Sequence, residues 1–260
     1  MLKHIKKKTV NYVKFDKESF ENSGLLLNLP DGKMPKLKYK DVKDKHAMLF
    51  MDNGEMLRSF FYNDNGNTCT IPLANPVLIY FHTAQANLKN IYSTKKDLMA
   101  LFRDNGEVTE SSLQLFYGFF GISSNFVTIL MTALEAFVNQ KIPINYKFQK
   151  KEGTKFTRIY DSDQIQRWVS LDDKISDILN VVENRNFAKH YPMRQPHIDR
   201  LKDLRDNIVH TKSGAAYINY TELFKKSLNF KYNESIEAVR DFINFYEPNL
   251  IEPCPCGVDA

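Results

Sequence analysis

The chain has 260 residues, 43% hydrophobic and 26% charged, with a formal net charge of +5 and a pI near 8.9. These proportions exclude a disordered or low-complexity chain, allow one or two domains with a sizeable core, and suit an RNA partner without demanding one. Three cysteines (Cys69, Cys254, Cys256) are too few for a disulfide framework, and no apolar run follows the basic start at Lys3, Lys6, Lys7 and Lys8, so a cytoplasmic chain with no membrane segment is expected.

Residues 1 to about 45 are Lys-rich and broken by Asn28-Leu29-Pro30-Asp31-Gly32 and Pro35, which predicts loops with short strands. From His46 to Leu73, short apolar runs alternate with Asp52-Asn53-Gly54 and Asn63-Asp64-Asn65-Gly66-Asn67, the pattern of a small β-meander. Asn75-Pro76 reads as a cap followed by proline at the first helical position, and apolar residues from Val77 to Phe102 carry a long helix. Asp104-Asn105-Gly106 stops it, so residues 1–105 form an N-terminal mixed α/β region.

Residues 106–250 read as a mainly α domain, an antiparallel helical bundle with an inserted β-hairpin. Thr109 to Gln140 is a strongly apolar helix with possible bends at Gly118 or Gly121. Its Leu113–Val138 stretch is long enough to span a membrane. Gln114, Ser123, Ser124, Asn125 and Glu135 interrupt it and favour a core helix. Residues 145–160 alternate around Glu152-Gly153 as a hairpin, and 162–183 are a second helix that Ser170 can restart. A linker at Lys189-His190-Tyr191-Pro192 leads to a helix ending near His210, and Asn219–Tyr246 supplies the last. A flexible tail, 251–260, holds Cys254 and Cys256, and two cysteines cannot close a tetrahedral zinc site.

The segment 201–212 carries the most chemistry. Ile198, Leu201, Leu204 and Ile208 share one face at about 100° per residue. Arg205 falls at the edge of that stripe, while Asp206 and His210 point away from it as i, i+4 neighbours. Either Asp206 or Asn207 is placed to orient the imidazole. Arg205 and His210 are roughly 140° apart on the helix. They meet only if the arginine side chain curls round or a second chain completes the site. A guanidinium that never loses its proton and an imidazole that titrates near neutrality suffice for cleaving RNA through its own 2′-hydroxyl. The competing expectation is a helix-terminal histidine favoured by the macrodipole beside an ordinary surface Arg-Asp pair.

Arg205-Asp206-Asn207-Ile208-Val209-His210 resembles the Arg-x4-His signature of the HEPN family, over roughly the last 150 residues of the chain. Asp206 stands where that family commonly has Asn. The resemblance implies a helical bundle working as a homodimer with facing motifs. The implied activity is metal-independent endoribonuclease chemistry of toxin or phage-defence type, restrained by an antitoxin or regulatory partner.

On the long helix, Asn125, Thr128, Thr132, Glu135 and Asn139 form a short-chained, mostly uncharged stripe that suits a cleft or a helix contact. HEPN proteins resemble one another in placing an acidic residue on an early helix, so Glu135 is expected to hold Arg205; the alternative is a solvent-exposed Glu135. Lys147, Lys150, Lys151, Lys155 and Arg158, interleaved with Tyr146, Phe148 and Phe156, read either as an RNA-contacting arm or as a solvated hairpin. His190 and His197 are expected in a solvated linker and His82 in the core. The sequence has no HExxH, CxxC, Walker-type, GxGxxG or GxSxG motif, so no metal or other cofactor is expected. The alternative to a nuclease is a non-catalytic helical module that binds RNA, nucleotide or protein.

Overall fold

The computed structural model describes residues 12–13, 26–27, 37–50, 56–103, 108–152, 156–210 and 216–252. The expected turns at Asp52-Asn53-Gly54 and Glu152-Gly153, in part, the stop at Asp104-Asn105-Gly106, and the Cys254/Cys256 tail lie outside them. Two compact units result: residues 1–78 with 252–258, and residues 79–251 with 259–260.

The first unit holds a sheet built around β4 (Met56–Asp64). β3 (His46–Phe50) pairs antiparallel along one side of it, from His46↔Phe60 to Phe50↔Met56. β5 (Asn67–Pro72) returns along the other, from Ser59↔Pro72 to Asp64↔Asn67. The expected meander is present. Its tight turn places Asn65 at φ 49° and Gly66 at φ 93°, the left-handed pair that a two-residue hairpin needs to match strand twist. β1 (Tyr12–Val13) adds antiparallel to β4, and β2 (Leu26–Leu27) adds parallel to β3. A short helix, α1 (Tyr39–Val42), appears where the sequence suggested only loops and strands. It forms because Val42 buries against Ala47 and Phe61, with Leu37 and Tyr39 packed alongside.

The second unit is helical apart from one hairpin. α2 (Pro76–Phe102) starts as expected, with Asn75 Oδ1 accepting the Val77 N–H at 3.0 Å. All but its first turn falls in this unit rather than with the sheet. Its Lys95 Nζ donates to the Leu228 carbonyl, and Phe81, Leu88, Ile91 and Leu98 are buried. α3 (Glu110–Lys141) is the central element, closed at its start by a capping box between Thr109 and Ser112, and it continues unbroken through Gly118 and Gly121. Among the described residues it alone is long and apolar enough to cross a membrane, and half of its most apolar stretch is buried inside the structure. Phe119, Phe126, Val127, Leu130, Leu134, Phe137 and Val138 make that core; each large side chain contributes about 1.5–3 kcal/mol.

β6 (Phe148–Glu152) and β7 (Phe156–Tyr160) form the inserted hairpin, in register from Phe148↔Tyr160 to Glu152↔Phe156. α4 (Ser162–Trp168) follows, and the chain restarts at Ser170, whose hydroxyl accepts the Asp173 N–H at 3.2 Å. The next run, α5, is not a regular helix: Leu171–Asp173 and Asn180–Val182 are α-helical, while Lys174–Leu179 between them is π-helical. Lys189 and His190, expected at the start of a linker, belong to the helical turn α6 (Phe187–His190). Asn186 caps it, and Phe187 buries its ring against Phe242 and Phe245.

α7 (Gln195–Val209) comes next, and the expected final helix is two: α8 (Ala216–Asn229) and α9 (Tyr232–Tyr246). The break carries no Gly or Pro. It is held instead by the Tyr232 hydroxyl, which donates to the Ser227 carbonyl at 2.8 Å, and by the Tyr232 ring against Phe126. Ring pairs Phe126–Tyr232 and Phe137–Phe242 advance together along α3 and α9, so these two helices run in the same direction rather than antiparallel as expected.

Candidate functional site

Pro196 sits in the first turn of α7 and starts the helix earlier than the sequence suggested. His197 is therefore helical and half-buried, with an Nδ1 that has no partner among the described residues. Ile198, Leu201 and Leu204 are buried as the apolar stripe requires, and Ile208 is half-buried. Arg194 pins the start of α7 to α9 through Glu237 (2.9 Å) and Asp241 (2.8 Å).

Arg205 Nη2 donates to Glu135 Oε1, joining α7 to the polar stripe of α3. Its Nη1 lies 3.1 Å from Asp206 Oδ1. The guanidinium is 24% exposed and Glu135 38%, so the pair is neither buried nor open. Along the stripe Asn125 and Thr128 face outward, whereas Thr132, Glu135 and Asn139 are half-buried.

Lys174 completes the cluster, and sequence reasoning missed it. It is 6% exposed, and its ammonium donates to Asn139 Oδ1 at 3.0 Å and to the Gln166 carbonyl at 2.8 Å. Burial pushes this ammonium below the usual lysine range, opposed by the Glu135 charge. In the stretch Leu171-Asp172-Asp173-Lys174 a lysine reads as surface. The π-helical segment begins at Lys174, and its extra residue per turn changes which side chains face inward.

His210 is exposed and stands just past the helix, at φ −106° and ψ 54°, with its N–H donating to the Asp206 carbonyl at 2.9 Å. The side chains expected to orient it are turned elsewhere. The Asp206 carboxylate faces Arg205, the stronger attraction, and Asn207 Nδ2 donates back to the Asp203 carbonyl. Among the described residues the imidazole has no side-chain partner, and no hydrogen bond joins Arg205 to His210. The structure joins the side chains of Glu135, Arg205 and Asp206 and leaves those of His210 and Asn207 outside that cluster.

The hairpin is less free than an RNA arm requires. Phe148 and Tyr160 stack 6.3 Å apart in a core cluster with Ile142, Ile165, Val169 and Ile178, and Tyr146 packs on that cluster. Lys150 lies opposite Arg158 on the face that carries those rings, and its ammonium reaches Asp173 at 2.5 Å. That hydrogen bond raises the lysine and lowers the carboxyl relative to their usual ranges. Arg158 lies over Tyr160. Lys147, Lys151 and Phe156 are exposed; Lys155 is outside the described residues.

His82 is exposed on α2, not in the core, and His190 sits against the Phe245 ring with Nδ1 3.0 Å from the Asn186 carbonyl. Among the described residues no three His, Cys, Asp or Glu side chains converge. Comparison with protein-family models, with curated proteins and with solved structures finds no match.

Proposed function

We propose that this chain is a metal-independent, HEPN-like endoribonuclease whose active form is a homodimer with two Arg205/His210 segments facing one groove. The observation that carries it is the half-exposed Glu135–Arg205–Asp206 cluster with an exposed His210 at the end of the same helix. Two carboxylates hold the guanidinium in a fixed orientation while its remaining N–H groups can reach an incoming phosphate. Among the described residues the His210 imidazole has no side-chain partner to displace, and in the proposed dimer the facing copy brings an imidazole to each guanidinium.

In the proposed reaction the 2′-oxygen attacks phosphorus and its proton passes to one imidazole. Arg205 stabilises the charge that gathers on the phosphorane oxygens. The 5′-oxygen leaves with a proton from the facing imidazolium, and the product is a 2′,3′-cyclic phosphate; no water is consumed. Proton transfer of this kind is worth about 10²–10⁴ in rate, and charge stabilisation by a positioned donor about 10²–10³. The biological setting implied is phage defence or a toxin-type system, with an antitoxin or regulatory partner and a cytoplasmic RNA substrate.

The test is RNA cleavage in excess chelator by wild type and His210→Ala. Loss of at least 10² in the variant is expected; equal cleavage by both overturns the assignment. One observation favours a helical binding module instead: both Nη atoms of Arg205 face carboxylates, as in a purely structural ion pair. Such a module binds equally well as His210→Gln.

A further inference from the structure

We infer that Arg185 and His190, gathered on the ring of Phe245, form a phosphate-binding site for an RNA strand. The site stands on its own geometry; that its phosphates belong to RNA rests on the nuclease proposal. The Arg185 guanidinium lies over Phe245, 4.0 Å from the ring centroid. The His190 ring is 5.1 Å from the same centroid, tilted by 49°. Guanidinium and imidazole therefore lie within about 9 Å of each other, the two distances laid end to end. Phe245 is buried near the end of α9, against Phe187 and Tyr246, so the platform that carries both groups is fixed.

Local chain geometry puts them there and leaves their polar edges open. Asn184 takes a left-handed backbone at φ 49°, which turns the chain out of α5 into Arg185. Asn186 caps α6, and His190 follows one turn later with Nδ1 3.0 Å from the Asn186 carbonyl. A carbonyl only accepts, so Nδ1 carries the proton of that bond and Nε2 is the nitrogen left for a ligand. Contact at 4.0 Å engages the face of the guanidinium, whose five N–H groups lie along its edge. Both side chains are exposed, and among the described residues no carboxylate pairs with Arg185. The acids near Arg185 and Phe245 in sequence, Glu183 and Glu247, both turn to Lys141.

This pairing suits a phosphate better than a carboxylate. A guanidinium fork takes both oxygens of a carboxylate and leaves the imidazole nothing to bind. On a phosphate the same fork leaves further oxygens, to which an imidazolium Nε2–H donates. Lys189, next to His190 in the chain and also exposed, adds a positive charge. At the candidate catalytic cluster both Nη atoms of Arg205 already face carboxylates; Arg185 has none to give up.

The experiment is titration of the full, isotope-labelled chain at constant ionic strength, following the Arg185 Nε–H and His190 ring signals by NMR. The probes are inorganic phosphate, a tetraglutamate peptide and a 2′-O-methylated tetranucleotide, which cannot be cleaved through its 2′-hydroxyl, with and without a 5′-phosphate. Phosphate and both oligonucleotides are expected to shift the two signals, the oligonucleotides at concentrations at least about tenfold below phosphate. Arg185→Gln should raise the concentration needed at His190 by about tenfold or more, and His190→Gln should weaken the response at Arg185. Tighter binding with the 5′-phosphate assigns the site to a strand end, and equal binding assigns it to internal phosphodiesters; either keeps the site. Signals that do not move, or that respond to tetraglutamate as readily as to the oligonucleotides, overturn it. Phosphate binding here without RNA cleavage by the wild type would remove the nuclease assignment and keep the site; cleavage with both signals unmoved would do the reverse.

Discussion

Lys174 on α5 and Asn139 on α3 are hydrogen-bonded at 3.0 Å, one turn along α3 from the Glu135 carboxylate that receives Arg205. The polar stripe of α3 is therefore held by cations from two different elements, one half-exposed and one buried. Its short side chains follow from that: a Lys- or Glu-rich stripe would leave no room for either ammonium or guanidinium.

Lys174 also makes stability depend on alkaline pH. Its folded-state value lies below 10.5, so between the two values the unfolded chain binds more protons and the fold gains stability as pH rises. Below the folded value the charged, buried form carries its full desolvation cost. Denaturant unfolding of wild type and Lys174→Met from pH 7 to 10.5 should show the difference moving in favour of wild type. A flat difference would mean that this ammonium is not desolvated in solution.

The Glu135–Arg205 contact is half-exposed, so its worth to stability is small. A double-mutant cycle with Glu135→Gln and Arg205→Met should give a coupling of about 0.5–1 kcal/mol. The effect on RNA cleavage should be larger, about tenfold or more for Glu135→Gln, because a guanidinium held by one carboxylate loses its orientation. A coupling near zero with unchanged cleavage would show that Glu135 positions nothing.

In the hairpin, Lys147 and Lys151 are exposed, whereas Lys150 is engaged by Asp173. Replacing Lys147 and Lys151 by Gln should lower RNA affinity and flatten its salt dependence by about one to two phosphate contacts. Lys150→Gln should act mainly on the α5 contact and leave the salt slope close to wild type. Salt titration of RNA binding separates them; a slope that changes only with Lys150→Gln would reverse the assignment.

Local chemistry made much of the fold readable. Asn75 and Thr109 announce helix starts because an Asx or Thr side chain can take an orphan N–H, and Asn65-Gly66 announces a hairpin because both residues tolerate positive φ. Two features have no such local cause. The break before Tyr232 depends on that ring finding Phe126, a residue far away in sequence. The π-helical segment at Lys174 trades helix geometry for inward placement of a lysine that pattern alone puts outside. At the candidate site the Glu135–Arg205 contact was legible, because a lone carboxylate on a small-residue stripe needs a cation. The partner of Asp206 was not, since i+4 proximity to His210 competes with an adjacent guanidinium, and the full charge wins.

The most direct measurement is the chemistry of the RNA ends left by the purified full-length chain in excess chelator, read by mass spectrometry. A 2′,3′-cyclic phosphate on the upstream product, lost in both His210→Ala and Arg205→Ala, is the predicted result. Intact RNA, a free 3′-hydroxyl, or the same cyclic ends from either variant would contradict it.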